Sequence, residues 1–275
     1  MAIKVRCISN WADSYPLHMR LISQFAPDYQ NEKLIQFVDD DSYNVLIVFN
    51  DKKGFQTDGR PCIGFVQEPP DHGHFYDYNL DSYTHYIVSC ADKDGYPFFV
   101  DECFSGGMFY HMERPKVDEK SVLISAVCSG ISGGFYDVRQ SVVKRAHDLG
   151  AEVYGRGLSF GRGEIADKAD ILSKSMFSVC IENGLHKGYV SDKIIDAILC
   201  ESVPLYIGDH DRARKIFGDC FVPFNPDDIE SVISQCTPAM YQLMLPKLQK
   251  AKQKWFEKCN LYEKIVSLSL KFAHE

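Results

Sequence analysis

The sequence predicts an α/β protein built as two Rossmann-like domains facing one cleft. Three observations carry this. Short apolar segments rich in β-branched residues recur along the chain, and in the second half they alternate with helix-like segments, the pattern of a parallel sheet. The chain has 275 residues, long for one domain and comfortable for two. A polar stretch containing Pro115, residues 112–120, falls where a linker between two such domains would lie. The expected division is residues 1–115 and residues 116–275. A helical tail from Ala239 to Glu275 is expected to pack back across the interface.

The elements follow in order. IKVRCIS (3–9), YNVLIVF (43–49), CIGFVQ (62–67) and HYIVSC (85–90) read as strands, with a helix from Leu17 to Phe25 between the first two. The segment EPPDHGHFYDYNLD (68–81) reads as a loop, because Pro69 and Pro70 exclude a regular element directly after Glu68. VLISAVC (122–128) reads as a buried strand followed by the turn SGISGG (129–134). A helix is expected from Asp137 to Leu149, with Val138, Val142, Val143, Ala146 and Leu149 on one side and Gly150 at its end. Then come the strand AEVYG (151–155), a Gly/Arg loop and a helix near Ala166 to Ser173. The strand MFSVCI (176–181), the loop ENGLHKGY (182–189), a helix from Ser191 to about Cys200 and the strand VPLYIG (203–208) complete the series.

Composition excludes several classes. With 45% hydrophobic and 25% charged residues the chain can bury a core, which argues against disorder. A net charge of -8 argues against a broad nucleic-acid surface, while leaving room for one basic pocket at a nucleotide phosphate. None of the 10 cysteines forms a Cys-x-x-Cys pair, so neither a zinc ribbon nor a thioredoxin-like site is signalled. Cys128 and Cys180 sit in apolar runs and read as small core residues. The first residues alternate as a strand does, and no segment approaches the ~20 apolar residues of a membrane span. A cytoplasmic protein in a reducing compartment is expected.

The chemistry concentrates between Phe177 and Phe217. A buried strand ends at Ile181, which puts Glu182 and Asn183 at its C-terminal end, where open parallel sheets bind ligands. Ser191 can cap the following helix, whose N-terminal N–H groups suit a phosphate. Asp192 is an ordinary first-turn acid, favoured by the helix dipole. Lys193 is disfavoured there by the same dipole, so it reads either as a solvated surface lysine or as the partner of a bound anion.

These residues resemble the signature of glycosyltransferase family 10, the α-1,3/1,4-fucosyltransferases. That family carries Phe-Glu-Asn-Ser, then Tyr-(Ile/Val)-Thr-Glu-Lys opening a helix, then Val-Pro and a strand ending in Gly. This chain reads Ile181-Glu182-Asn183-Gly184, Tyr189-Val190-Ser191-Asp192-Lys193, Val203-Pro204 and Gly208. Soluble bacterial members are the most similar. Upstream, Arg139 stands where the family has an arginine early in the first helix of its donor domain. Glu68, after CIGFVQ, stands near the family's Gly-Glu-Asn, although Gln67 and Pro69 replace its neighbours. Ser191-Asp192 replaces Thr-Glu, so the carboxylate is one methylene shorter, and Gly184 replaces Ser.

The resemblance implies a glycosyltransferase-B fold, with an acceptor-binding domain in residues 1–115 and a nucleotide-sugar domain in residues 116–275. It implies inverting transfer of L-fucose from GDP-β-L-fucose to a glycan hydroxyl, with no obligatory metal and no other cofactor. Glu68 is then the base, and Arg139 and Lys193 hold the phosphates, helped by the helix start at Ser191. Glu182, Asn183, Tyr189 and Asp192 line the sugar site. Two alternatives stay open: another GDP-sugar donor, because of Asp192, and a non-catalytic nucleotide-sugar or glycan-binding protein.

Other patterns read as structural. Asp209-His210-Asp211 imitates a metal-binding Asp-x-Asp and reads as a helix cap, with a metal-dependent transferase as its rival. His72-Gly73-His74 lacks a zinc partner set. Gly155-Arg156-Gly157 and Gly161-Arg162-Gly163 would bring backbone near a phosphate, with Arg156 and Arg162 as minor candidates, although a lone Gly-x-Gly is a weak signal.

Overall fold

The computed structural model describes residues 2–9, 34–49, 58–66, 69, 86–89, 99–100, 116–259 and 261–273. The helix expected at 17–25, His72 and His74 lie outside these residues, and so does Glu68.

The described residues fall into two compact units. Unit 1 gathers Met1–Arg114, His186–Gly188 and Phe256–Glu275; unit 2 gathers Pro115–Leu185 and Tyr189–Trp255. The first cut falls within the expected linker. The tail does not follow the expected division, because its last 20 residues group with unit 1.

Unit 1 is built on a six-stranded parallel sheet, ordered β2-β1-β3-β4-β5-β6. Its strands are β1 (Ile3–Ser9), β2 (Ile35–Phe37), β3 (Val45–Phe49), β4 (Cys62–Val66), β5 (Tyr86–Ser89) and β6 (Phe99–Val100). Every residue of β3 and β4 is buried, as expected of central parallel strands covered on both faces. Arg60 closes the turn before β4: it donates to the Tyr43 carbonyl and lies 3.6 Å over the Tyr43 ring.

Unit 2 carries a five-stranded parallel sheet, ordered β11-β10-β9-β7-β8. Its strands are β7 (Val122–Val127), β8 (Glu152–Tyr154), β9 (Ser175–Ile181), β10 (Val203–Ile207) and β11 (Val222–Pro223). The helices are α1 (Phe135–Asp148), α2 (Ala169–Leu172), α3 (Asp192–Leu199), α4 (His210–Phe217), α5 (Ile229–Gln235) and α6 (Pro238–Lys254). Helix α7 (Leu261–Phe272) belongs to unit 1 and packs on β1 and β3. On α1 the buried face is Arg139, Val142, Val143 and Ala146, a helical stripe that includes an arginine. Leu149, expected on that stripe, is exposed because the helix ends at Asp148.

The core of the second sheet holds a line of buried hydroxyls. Ser125 Oγ lies 3.1 Å from Ser178 Oγ, which lies 2.6 Å from Ser202 Oγ. Each satisfies the next, so the polar atoms cost little where they are buried.

Candidate functional site

Both sheets share one winding. In unit 2 the chain runs from β7 outward to β8, then returns to the other side of β7 for β9, β10 and β11. The order reverses between β7 and β9. At such a switch point the loops leaving the two strands diverge, and the gap at their C-terminal ends is where doubly wound sheets bind ligands.

Two sequence-predicted residues meet across this point. Arg139 on α1 follows β7, and its Nη1 donates to Asn183 Oδ1, just after β9, at 2.7 Å. Arg139 is only 6% exposed, and its Nε is buried without a hydrogen-bond partner among the described residues. A buried guanidinium with an idle donor is poised for an anionic acceptor. Its charge also lies near Cys128 at the end of β7. Burial pushes that thiol's pKa up, and Arg139 and Lys193 both pull it back.

Helix α3 starts at the same edge. Ser191 is its N-cap, with the side chain accepting from the Lys193 amide at 3.4 Å. Glu182 fixes that cap: its Oε1 accepts from the Ser191 amide at 2.8 Å and from Tyr206 Oη at 2.9 Å, and its Oε2 accepts from Ser191 Oγ. Glu182 is fully buried. Burial pushes its carboxyl up from the ordinary value, against Lys193 and the Ser191 bonds. Gly208 leaves the space for this arrangement, because a Cβ there would lie 2.3 Å from Tyr206 Oη and 2.8 Å from Glu182 Cγ.

Glu182 and Tyr189, expected to line a sugar pocket, are thus interior: Tyr189 is 1% exposed, and both carboxylate oxygens of Glu182 are occupied by unit 2's own donors. The geometry of Glu182 is that of a support for the cap.

Asp192 sits in the first turn of α3 with Oδ2 2.6 Å from Lys168 Nζ and Oδ1 3.4 Å from Lys193 Nζ. Burial would raise its pKa, but the two ammonium groups override this and hold it well below the usual carboxylate range. Lys168 also reaches Asp196 Oδ2 at 2.9 Å, one turn further along α3. Burial would lower Lys168; the two carboxylates raise it instead. Lys193 Nζ is 3.3 Å from Ser191 Oγ. Lys168, Lys193 and Asp196 share the wall of a cavity of about 30 Å³, with Val127 and Cys180 among its apolar lining. It has room for a water or two.

Sequence reasoning missed Lys168 and Asp196. The spacing of Asp192 and Asp196 puts two acids on one face of a buried helix, which demands a counter-ion. Lys168 lies 24 residues upstream on another element, and no local pattern points to it.

The remaining patterns resolve structurally. Asp209 caps α4, accepting from the Arg212 amide at 2.9 Å, and Asp211 is fully exposed beside Arg214. Among the described residues no three His, Cys, Asp or Glu side chains converge as metal ligands do. The glycines near Arg156 serve a contact between loops: a Cβ on Gly130 would fall 2.1 Å from the Gly157 carbonyl oxygen, and one on Gly155 would fall 1.7 Å from that of Cys128. Arg156 is exposed, and Arg162 pairs with Glu152 at 3.0 Å. No helix among the described residues is long and apolar enough to cross a membrane.

No protein-family model matches the chain. A stretch of 58 residues, 21% of the chain, is 36% identical to α-(1,3)-fucosyltransferase FucT of Helicobacter pylori, and it spans only 12% of that protein's length. The chain is similar throughout to a solved α1,3-fucosyltransferase with GDP, with a TM-score of 0.58 and 15% identity over 95% of this chain and 92% of that one. An α1,3-fucosyltransferase structure with GDP-fucose gives a TM-score of 0.55 at 15% identity, covering 95% and 92%. The T4 phage BGT in complex with UDP-glucose gives 0.55 at 12% identity, covering 98% and 99%. These likenesses fix the fold as the α/β, Rossmann-like glycosyltransferase-B type. The family resembled by the 177–217 segment recurs in both the aligned stretch and the solved structures.

Proposed function

We propose that this chain is an inverting glycosyltransferase that moves L-fucose from GDP-β-L-fucose to a hydroxyl of a glycan acceptor, in an α-1,3 or α-1,4 linkage. The observation that carries the reading is the convergence of Arg139, Asn183 and Lys193 with the capped start of α3 at the switch point of the second sheet. Two cations and a helix N-terminus there are chemistry for a diphosphate leaving group.

The acceptor oxygen bonds to the anomeric carbon from the face opposite the phosphate. The bond from that carbon to the phosphate oxygen breaks, its electron pair leaving with GDP, and the hydroxyl proton passes to a base. Arg139 and Lys193 stabilise charge on the departing phosphates. Asp192 meets the sugar as positive charge grows on it, Asn183 orients Arg139, and Glu182, Tyr189 and Ser191 hold the loop and cap in place. The base is Glu68, on the strength of the family resemblance. The reaction needs no divalent metal, and activity should survive a chelator.

A second reading keeps the fold and changes the donor. The shorter Asp192 favours it, because its carboxylate is already engaged by Lys168 at 2.6 Å. Thermal unfolding with GDP, GDP-fucose, GDP-mannose and UDP-glucose separates the readings. GDP and GDP-fucose should raise the midpoint most, by mass action on the folded state. Stabilisation by UDP-glucose with none by GDP would sink the donor assignment. Binding of GDP-fucose without turnover of any glycan would favour the non-catalytic alternative.

A further inference from the structure

We propose that Lys168 is a positioning residue of the donor site, whose ammonium engages Asp192 and Asp196 so that Lys193 remains available to the donor's diphosphate. The inference rests on the donor-site reading above and adds a residue outside its motif.

The argument is one of charge placement. Asp192 and Asp196 lie one turn apart on α3, and Asp196 is 1% exposed. Two ionised carboxylates at that spacing repel and need a counter-ion. Lys168, the residue preceding α2, supplies it at 2.6 and 2.9 Å. Lys193 stands further off, 3.4 Å from Asp192 Oδ1, on the wall of the same cavity. Without Lys168, the nearest remaining ammonium is Lys193. Lys193, already 3.4 Å from Asp192 Oδ1, would then face both carboxylates alone and be held back from an incoming anion. The diphosphate would then meet two acids and one lysine, instead of two acids balanced by two lysines.

The groups facing Asp192 are Lys168 from the residue before α2, Lys193 and Asp196 from α3 itself, and Glu182 from the end of β9. In the native protein Asp192 stays ionised through the neutral range, held there against burial by Lys168 and Lys193. In Lys168→Met the larger of these two supports is gone and the Asp192 carboxyl titrates higher. As pH falls, it gains a proton and releases Lys193. The binding defect should therefore be largest near pH 8 and shrink toward pH 5, a dependence that general loosening of the fold would not give.

The test is calorimetric titration of GDP into the full chain at pH 8 and pH 5, with thermal midpoints recorded in parallel. Lys168→Met should weaken GDP at pH 8 by about ten-fold, a typical coupling between neighbouring charges. The loss should be smaller at pH 5. Lys168→Arg should restore binding. The pair Lys168→Met with Asp196→Asn removes one acid together with its cation, and should recover most of the affinity even if the single variant folds poorly. Native-like affinity in Lys168→Met at pH 8, or a loss equal at both pH values and unrelieved by Asp196→Asn, would overturn the inference. Failure of the native protein itself to bind GDP would instead remove the donor-site reading.

Discussion

At the residue scale, Arg139 shows what sequence can and cannot say. The family resemblance singled it out, whereas by position alone an arginine beside an apolar stripe reads as a flank residue on the helix surface. The structure buries it and bonds it to Asn183 across the switch point. Burial removes water as a competitor, so an anion that reaches this guanidinium replaces no strong hydration. Arg139→Ala should cost GDP binding about 2–5 kcal/mol, the range for deleting one partner of a desolvated charge pair. A titration showing unchanged affinity would move the phosphate site elsewhere. Gly130 makes the opposite point. The glycines around Arg156 raised the prospect of a phosphate nearby, yet Gly157 meets another loop instead: its carbonyl oxygen would lie 2.1 Å from any Cβ on Gly130. Gly130→Ala should destabilise unit 2 by about 2 kcal/mol or more, through overpacking against backbone that cannot yield. A chemical denaturation curve checks this, and an unchanged midpoint would mean that the loop beyond β8 moves freely.

At the element scale, helix α3 is the part of the site most legible from sequence, and its supports are the least. Ser191 was readable as a cap because a serine before an apolar helix has one common use. That Glu182, just after β9, would hold a cap nine positions further on depends on the intervening loop folding back, which no spacing rule gives. Ser191→Ala removes a cap acceptor and leaves Glu182 Oε2 short of a donor in the interior. The expected loss is about 1–3 kcal/mol, measured by denaturation. The far end of α3 is tied by a cation also invisible in sequence. Lys120 Nζ lies 2.8 Å from the Ser173 and Cys200 carbonyl oxygens, so it closes the ends of α2 and α3 together. Burial lowers its pKa from 10.5 to about 8. The sign follows from proton counting. Between pH 8 and 10.5 the unfolded chain still holds a proton that the folded chain has released, so this residue adds stability as pH rises through that window. Comparing Lys120→Met with the native chain across that window should show the native protein gaining ground with pH. A constant difference would mean that the lysine titrates alike folded and unfolded.

At the scale of the whole molecule, the sheets were legible and their membership was not. Strands β3, β4 and β10 are continuous apolar runs because both faces are buried, and such runs stand out in any sequence. Three of the four edge strands, β2, β6 and β11, span 3, 2 and 2 residues, too short to show a period, while the fourth, β8, was legible within the run AEVYG. The tail was readable as helical, since Leu261, Ile265, Val266, Leu268 and Phe272 repeat at helical spacing. An apolar stripe does not say which sheet it covers, and α7 covers β1 and β3 of unit 1, with the Tyr262 ring edge-on to Phe37 at 6.0 Å. This assignment has a consequence for stability. Two units with separate cores need not unfold together, so damage to one should be readable apart from the other. Ile265 is fully buried, and Ile265→Ala should cost about 2–5 kcal/mol of cavity and transfer energy. Native-state hydrogen exchange should show that cost as faster exchange in β1, β3 and α7, by about 30-fold or more. The amides of β7, β9 and α3 should keep their native rates, while added GDP slows exchange at the start of α3 and leaves α7 unchanged. Equal acceleration in both sheets would mean that the chain opens as one cooperative body, and the damage would then weaken nucleotide binding as much as it weakens unit 1.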